Sequence, residues 1–364
     1  MCLKDVLSRA LVQSVANQSA AETFLGGHRG KARYAIGKNA ESLSIHRLVP
    51  LDGIIDDYAV QGEIWNGIPL LHTDAARKDS LVVNCSTSIR PVDVLDHLAM
   101  SGFCHVIGLS DLICVADGSL AWPDFVERQR VEMDEHISVW QGIYDALADD
   151  ISRKTLRDVL SFRVTADPVY MSEYSVRIHD QYFEDFMKYR NEVFVDAGGF
   201  DGDTAEEFAR RYGDYRKILL FEPSARNMSL ARRRLSGLRD IDFFPIGLSD
   251  SPGVLRFDQN NGSASAINDG GGDEIRVDTL DAVVHEPVSF IKMDLEGWEL
   301  PALEGARRHI RDNKPKLAIA AYHDASDLRR IYRFIESFGH DYRPYLRHYT
   351  QGWSETILFF RPES

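Results

Sequence analysis

The sequence predicts an α/β protein: a doubly wound, Rossmann-like domain preceded by a smaller Rossmann-like α/β domain and a helical connector. Three observations predict it. Residues 192–204, EVFVDAGGFDGDT, read as a buried strand, a glycine loop and a helix start. From residue 191 onward, short β-rich apolar runs alternate with helical stretches, the pattern of a parallel sheet covered by helices. A shorter alternation of the same kind occupies about 28–115.

Taken in order, residues 1–27 hold an N-terminal helix with Leu3, Val6, Leu7, Ala10 and Leu11 on one face. Charges are scattered through this segment and no apolar h-region is present, so it does not read as a signal peptide. The small domain, 28–115, has strands at Ala32 to Ile36, Leu51 to Ile55, Leu81 to Asn84 and Val106 to Leu109. Its second strand closes on Asp56-Asp57, where a Rossmann fold holds a ribose, but its first turn, IGKNA, lacks G-x-G-x-x-G. The pair therefore reads either as a nucleotide contact or as part of a packing module.

Residues 116–190 form the connector. Met133, Ile137, Trp140, Tyr144 and Leu147 recur at heptad-like spacing, which suits a helix packed on its own domain or the face of a homodimer. His136 beside this stripe reads as an exposed residue. The larger domain, 191–364, has strands at 193–197, 218–221, 241–246, 289–293, 316–321 and 355–360. Thr204 opens a capping box, Ser224 caps the helix that runs through Leu235, and Asp324 caps the helix carrying Leu328, Ile331, Ile335 and Phe338. Gly270-Gly271-Gly272 reads as a short flexible loop.

Composition narrows the chemistry. The chain has 364 residues, with Lys+Arg 42 against Asp+Glu 56 and a net charge of −14, which argues against nucleic acid as the main partner. Cys2, Cys85, Cys104 and Cys114 show neither CxxC spacing nor disulfide density, which suits a reducing cytoplasm. No run of 18 apolar residues exists, so no membrane span is expected.

The glycine loop marks the candidate site. A dinucleotide loop presents bare backbone N–H groups to a pyrophosphate. This one carries Asp196, Asp201 and Asp203, which would repel phosphates and suit a positively charged ligand such as S-adenosylmethionine. Gly198, Gly199 and Gly202 allow the tight turn and close approach. Glu222 ends the next strand in LLFEPS, 26 residues after Asp196, where a carboxylate accepts from both ribose hydroxyls. Pro223 follows it, and Asn227 lies one helical turn on. Gly247 and Leu248 border the position of the base. Lys292, Asp294 and Glu296 end the fourth strand, and His323 ends the fifth.

VFVDAGGFDGDT, LLFEPS, GSASAIND, SFIKMDLEGWELPALEGA, KLAIAAYH and YLRHYT…SETILFF resemble the FkbM-type family of S-adenosylmethionine-dependent methyltransferases over about 182–361. The resemblance implies a class I methyltransferase domain and, as the activity, O-methylation of a sugar, glycan or small-molecule hydroxyl. It implies that Asp196, Gly198 and Gly202 face the methionine part of the cofactor, with Glu222 on the ribose. Asp294, Glu296 and Gly297 match the block after the fourth strand. Gly199, Phe200, Asp201, Thr204, Pro223, Asn227, Gly247 and Leu248 complete the expected cofactor residues. Gly199 stands where alanine is more usual, and Trp298 where a small residue is common. The piece GIIDDYAVQGEIWNGIPLL resembles the Rossmann-like module ahead of some of these enzymes and the sugar-nucleotide-binding module of some bacterial sugar acyltransferases.

For catalysis the expected base is His323 as neutral imidazole, with Asp294 orienting the acceptor or the histidine and Lys292 steadying an anionic group. A metal chelated by Asp294 and Glu296 is the rival mechanism; no metal is assigned. The rival functions are a nicotinamide-dependent sugar-modifying enzyme, which the missing glycine fingerprint opposes, and a nucleotide-sugar-binding module.

Overall fold

The computed structural model describes residues 2–11, 17–26, 30–257, 273–339 and 342–363. The Gly270-Gly271-Gly272 loop and the GSASAIND block lie outside the described residues. The chain divides into two compact units. One comprises Met1–Gln141, Lys154–Val176 and Tyr349–Ser354; the other comprises Gly142–Arg153, Arg177–His348 and Glu355–Ser364.

The first unit contains a six-stranded sheet. Its strands are β1 (Arg33–Ile36), β2 (Gly53–Ile55), β3 (Ile64–Trp65), β4 (Ile68–Leu71), β5 (Leu81–Asn84) and β6 (Val106–Gly108). Their order is β3-β4-β2-β1-β5-β6, parallel throughout except for the β3–β4 hairpin, which the sequence reading missed. Asn66-Gly67, both with positive φ, make the turn of that hairpin. The expected strand-end acids are both engaged within the unit. Asp56 pairs with Lys38 at 2.7 Å, so the turn that lacks the glycine fingerprint places a cation on the acid that would meet a ribose. Asp57 accepts from the Thr73 N–H at 2.6 Å and from its hydroxyl at 2.8 Å.

The helix Leu3–Leu11 buries Leu3, Leu7 and Ala10, the face expected, while Leu11 is exposed. The connector contains the helices Asp124–Ala146 and Asp150–Thr165. His136 is half-buried rather than exposed and marks a kink, with φ −128° inside the first helix. Met133, Trp140 and Leu147 are buried within the chain, which leaves little of the heptad-like stripe for a second copy.

In the second unit the strands are β7 (Val193–Ala197), β8 (Lys217–Phe221), β9 (Ile241–Phe244), β10 (Gly247–Leu248), β11 (Gly253–Phe257), β12 (Asp273–Asp278), β13 (Phe290–Met293), β14 (Lys316–Ala320), β15 (Tyr342–His348) and β16 (Thr356–Pro362). The main sheet runs β15-β16-β14-β13-β7-β8-β9. It is parallel from β9 to β14, and β16 runs antiparallel to both its neighbours. The chain leaves β7 toward β8 and β9, then returns on the other side at β13. The carboxyl ends of β7 and β13 therefore flank the topological switch point, where such sheets bind ligands. Phe194, Phe208 and Phe290 pack beneath it, with ring centroids 4.4 and 4.6 Å apart from Phe194.

Two expected caps are corrected. The helix after the glycine loop is Asp203–Arg211, and its cap is Gly202 at φ 87°, with no side-chain bond. The left-handed residue already turns the chain, so Thr204 lies inside the helix. The later helix starts at Asp327 behind Ser326; Asp324 instead accepts from the Ser326 N–H at 2.9 Å and stabilises the preceding turn. Ser224 caps its helix as expected, accepting from the Asn227 N–H.

Candidate active site

The glycine loop is shaped by close backbone contact. A Cβ on Gly198, at φ +75°, would lie 2.0 Å from the Asp294 carbonyl oxygen. A Cβ on Gly199 would lie 2.5 Å from Leu220 Cγ, so packing on β8 requires the glycine that stands where alanine is more usual. In the β7–β13 register Asp196 is the direct partner of Lys292. Both are buried, and the ammonium lies 3.2 Å from Asp196 Oδ1 while donating to the Gly198 carbonyl at 2.8 Å. Burial raises the Asp196 pKa, and Lys292 opposes that rise. Burial works to lower the Lys292 pKa, but Asp196, Asp294 and Asp203 outweigh it and the lysine is held protonated. Lys292 thus steadies the anion Asp196 beneath the loop.

The loop's acidity consequently meets the cavity only in part. Asp196 is covered, and Asp201 pairs with Arg234 at 2.6 Å. Of the three carboxylates only Asp203 borders the cavity above the switch point. That cavity measures about 860 Å³, at the upper end of the range for small-molecule sites. Gly198, Phe200, Thr204, Glu222, Pro223, Asn227, Gly247, Leu248, Lys292 and Asp294 line it. Asp196, Gly199, Asp201 and Gly202 shape the loop and are not among the residues that line the cavity.

Glu222 stands at the carboxyl end of β8 and is 7% exposed. Its Oε2 accepts from the Phe200 N–H at 3.1 Å and its Oε1 from the Ser224 N–H at 2.7 Å. Each oxygen keeps a further lone pair, the pattern that suits two vicinal hydroxyls. Burial pushes the carboxyl up to about 7, against the pull of those two bonds and of Asn227. Leu248, Ile275, Val277 and Phe200 line the same cavity and give it apolar side chains. Trp298 also borders the cavity and donates from Nε1 to Ser249 Oγ at 3.2 Å, so it both lines and packs. The lining therefore suits an adenosine: an acid for the ribose and apolar side chains for the base.

The opposite end of the cavity is rich in carboxylates. Asp294, Glu296 and Glu355 line it, with Tyr182, Tyr322 and Gln181. The Tyr182 hydroxyl donates to Asp294 Oδ2 at 2.7 Å, and Gln181 Nε2 donates to Glu355 Oε2 at 2.7 Å. Tyr182, Glu296 and Glu355 all have left-handed backbone, at φ 74°, 54° and 66°. Such strain in residues with side chains persists where the surroundings enforce it and concentrates at functional sites. Sequence reading missed Tyr182, Gln181 and Glu355, because each comes from a segment outside the strand-end motifs. The one available signal was the SETILFF block that contains Glu355.

His323 lies behind this end. Its Nε2 is 3.6 Å from Asp294 Oδ1 and 3.4 Å from Glu296 Oε2, and its Nδ1 is 3.2 Å from Glu299 Oε1. Burial alone would lower its pKa, but Glu296, Glu299 and Asp294 together raise it to about 11. The ring is therefore imidazolium near neutral pH, which corrects the expectation of a neutral imidazole. Glu299, 1% exposed, accepts from the Leu295 N–H at 2.6 Å and fixes the turn that carries Glu296. Asp294, Glu299 and His323 bring one ligand atom each within 4.8 Å of one another, a set that could seat a divalent cation. The imidazolium among carboxylates accounts for the same cluster by charge.

Residues 196–344 match the family model of the methyltransferase FkbM domain. The structure is similar to that of a methyltransferase FkbM from Methylobacillus flagellatus, with 25% sequence identity, a TM-score of 0.74 and 98% of each chain covered. It overlaps more loosely with an rRNA methylase from Streptococcus thermophilus, at 18% identity and a TM-score of 0.33, over 54% of this chain and 98% of that one. That looser likeness carries no argument. No protein of curated function matches the chain by sequence. With the strand order and the switch-point cavity in place, residues 196–344 are an FkbM-family methyltransferase domain, and the chain that carries them is an S-adenosylmethionine-dependent methyltransferase.

Proposed function

We propose that this methyltransferase acts on a hydroxyl group, carried by a sugar, a glycan or a small hydroxylated molecule. One observation carries the reading: the cavity that Glu222 borders is also lined by Asp294, Glu296, Glu355, Tyr182, Tyr322 and Gln181. Carboxylates and amides in that density suit the donors and acceptors of a polyhydroxylated partner. The volume leaves room for a second molecule beside the cofactor.

Bound S-adenosylmethionine supplies a methyl group on a positively charged sulfur, open to in-line displacement. The chain's own contribution is mainly positioning. Glu222 and Asn227 hold the ribose, Gly198 lets the backbone come close, and Lys292 keeps the loop in place from below by neutralising Asp196. Asp294 at the end of β13 orients the acceptor, with Tyr182 fixing one of its oxygens and the His323 imidazolium facing the other. Four free cysteines agree with a reducing, cytoplasmic setting. Among the described residues no helix is long and apolar enough to cross a membrane.

The test is a screen with cofactor labelled in the methyl group against free sugars, glycosides, nucleotide sugars and small phenols. The reading predicts label in an alkali-stable methyl ether. Label confined to amines or esters would refute it.

A further inference from the structure

Three carboxylates line the acceptor end, and they are not equivalent. Asp294 has both oxygens committed. Oδ2 receives the Tyr182 hydroxyl at 2.7 Å, and Oδ1 faces the His323 ring at 3.6 Å and the Tyr322 hydroxyl at 3.5 Å. Glu296 faces the same imidazolium at 3.4 Å. A carboxylate held against a cation is a poor proton acceptor, because taking the proton forfeits the ion pair. Glu355 is the member left least neutralised. No ion pair with a cation is found for it among the described residues, and the donors it meets are neutral: Gln181 Nε2 at 2.7 Å and the Tyr322 hydroxyl, whose one proton it shares with Asp294 Oδ1. Its left-handed backbone at the entry to β16, φ 66°, is a conformation that a residue with a side chain keeps only when the surroundings enforce it.

We propose that Glu355 is the proton acceptor in methyl transfer, a catalytic role that rests on the hydroxyl-acceptor reading above. The acceptor oxygen forms its bond to the methyl carbon while the carbon–sulfur bond breaks and its electron pair stays on sulfur. The hydroxyl proton passes to the Glu355 carboxylate and is later lost to solvent. The groups facing Glu355 are Asp294 from β13, Tyr322 and His323 beyond β14, and Gln181 and Tyr182 from the segment before β7. Burial and the nearby Asp294 raise its carboxyl to about 7, despite Gln181, Tyr322 and the more distant His323, and a base tuned to that range suits neutral pH.

The test needs no knowledge of the acceptor. Sinefungin carries an amine-bearing carbon where the cofactor has its methyl-bearing sulfur, so its ammonium points where the transferring methyl would go. S-adenosylhomocysteine lacks any group there. Titration calorimetry on the full chain should show wild type preferring sinefungin by about tenfold, the scale of one charge-assisted contact. The preference should shrink as pH falls from 8 to 6. In Glu355→Gln, S-adenosylhomocysteine affinity should persist, which reports an intact fold, while the preference and its pH dependence vanish. A preference unchanged in Glu355→Gln would overturn the proposal. Should that variant fail to fold, a flat preference across pH 6–8 in wild type would overturn it equally. If wild type bound neither ligand, the methyltransferase reading itself would fail, and the proposal with it.

Discussion

At the scale of single residues, charge and burial assign the roles. On the proposed reading Glu222 is the ribose carboxylate, and burial raises its pKa to about 7. The ionised form is the one that accepts from both ribose hydroxyls, so affinity for S-adenosylmethionine should rise with pH through 7. Binding confined to the ionised form implies an apparent Kd about tenfold weaker at pH 6 than at pH 8. Glu222→Gln should bind weakly at both values and lose the dependence, and Glu222→Ala should cost about 1.5–3 kcal/mol of binding; calorimetry measures all three. Lys292 and Asp196 make the opposite case, a pair directed inward. Lys292→Met should destabilise the fold by about 3–5 kcal/mol, since it strands a buried carboxylate. Adding Asp196→Asn should recover part of that loss, as read by urea unfolding. The apolar run around each residue was legible in the sequence, but the register that sets them opposite one another was not.

At the scale of elements, the loop between β7 and the following helix determines where everything else sits. Gly198→Ala would drive a methyl into the Asp294 carbonyl and impose a left-handed backbone on alanine. The backbone strain alone is worth about 1–3 kcal/mol, and the displaced loop should lose cofactor affinity in calorimetry. Gly213→Ala, whose added Cβ meets nothing within 4 Å, should stay within about 0.5 kcal/mol of wild type. The five parallel strands were legible because each is an apolar run bounded by turn residues. β15 was missed: YRPYLRH carries a proline and two arginines, and it becomes a strand by pairing along its length with β16. The two-residue strand β10 likewise forms by pairing with β12, which itself pairs along its length with β11. The caps were misread for a local reason, since a left-handed glycine or an Asp turn can begin a helix without the side-chain bond that the capping pattern assumes.

At the scale of the whole molecule, the chain crosses between its two compact units several times, and no linear cut separates them. A fragment of residues 182–364 would lack Gly142–Arg153, where Asp149 bonds Arg347 at 2.8 Å and Ser152 bonds both the Arg347 guanidinium and the Leu346 N–H. Arg347 is only 6% exposed, so the fragment should unfold well below the full chain in a thermal melt, by an amount on the order of a broken buried pair, about 3–5 kcal/mol. This arrangement was not legible in the sequence, which predicts a domain from its own periodicity and carries no mark of a segment that packs elsewhere. The polar end of the cavity escaped for the same reason, since Gln181 and Tyr182 precede β7 and Glu355 immediately precedes β16. The account as a whole turns on the direction in which the cofactor lies. A crystal structure of the full chain with S-adenosylhomocysteine measures that directly. We predict the ribose hydroxyls on Glu222, the adenine between Leu248 and Ile275, and the sulfur directed toward Asp294 and Glu355. A ribose held elsewhere, or a sulfur directed toward the Arg226 and Arg234 side of the cavity, would contradict it.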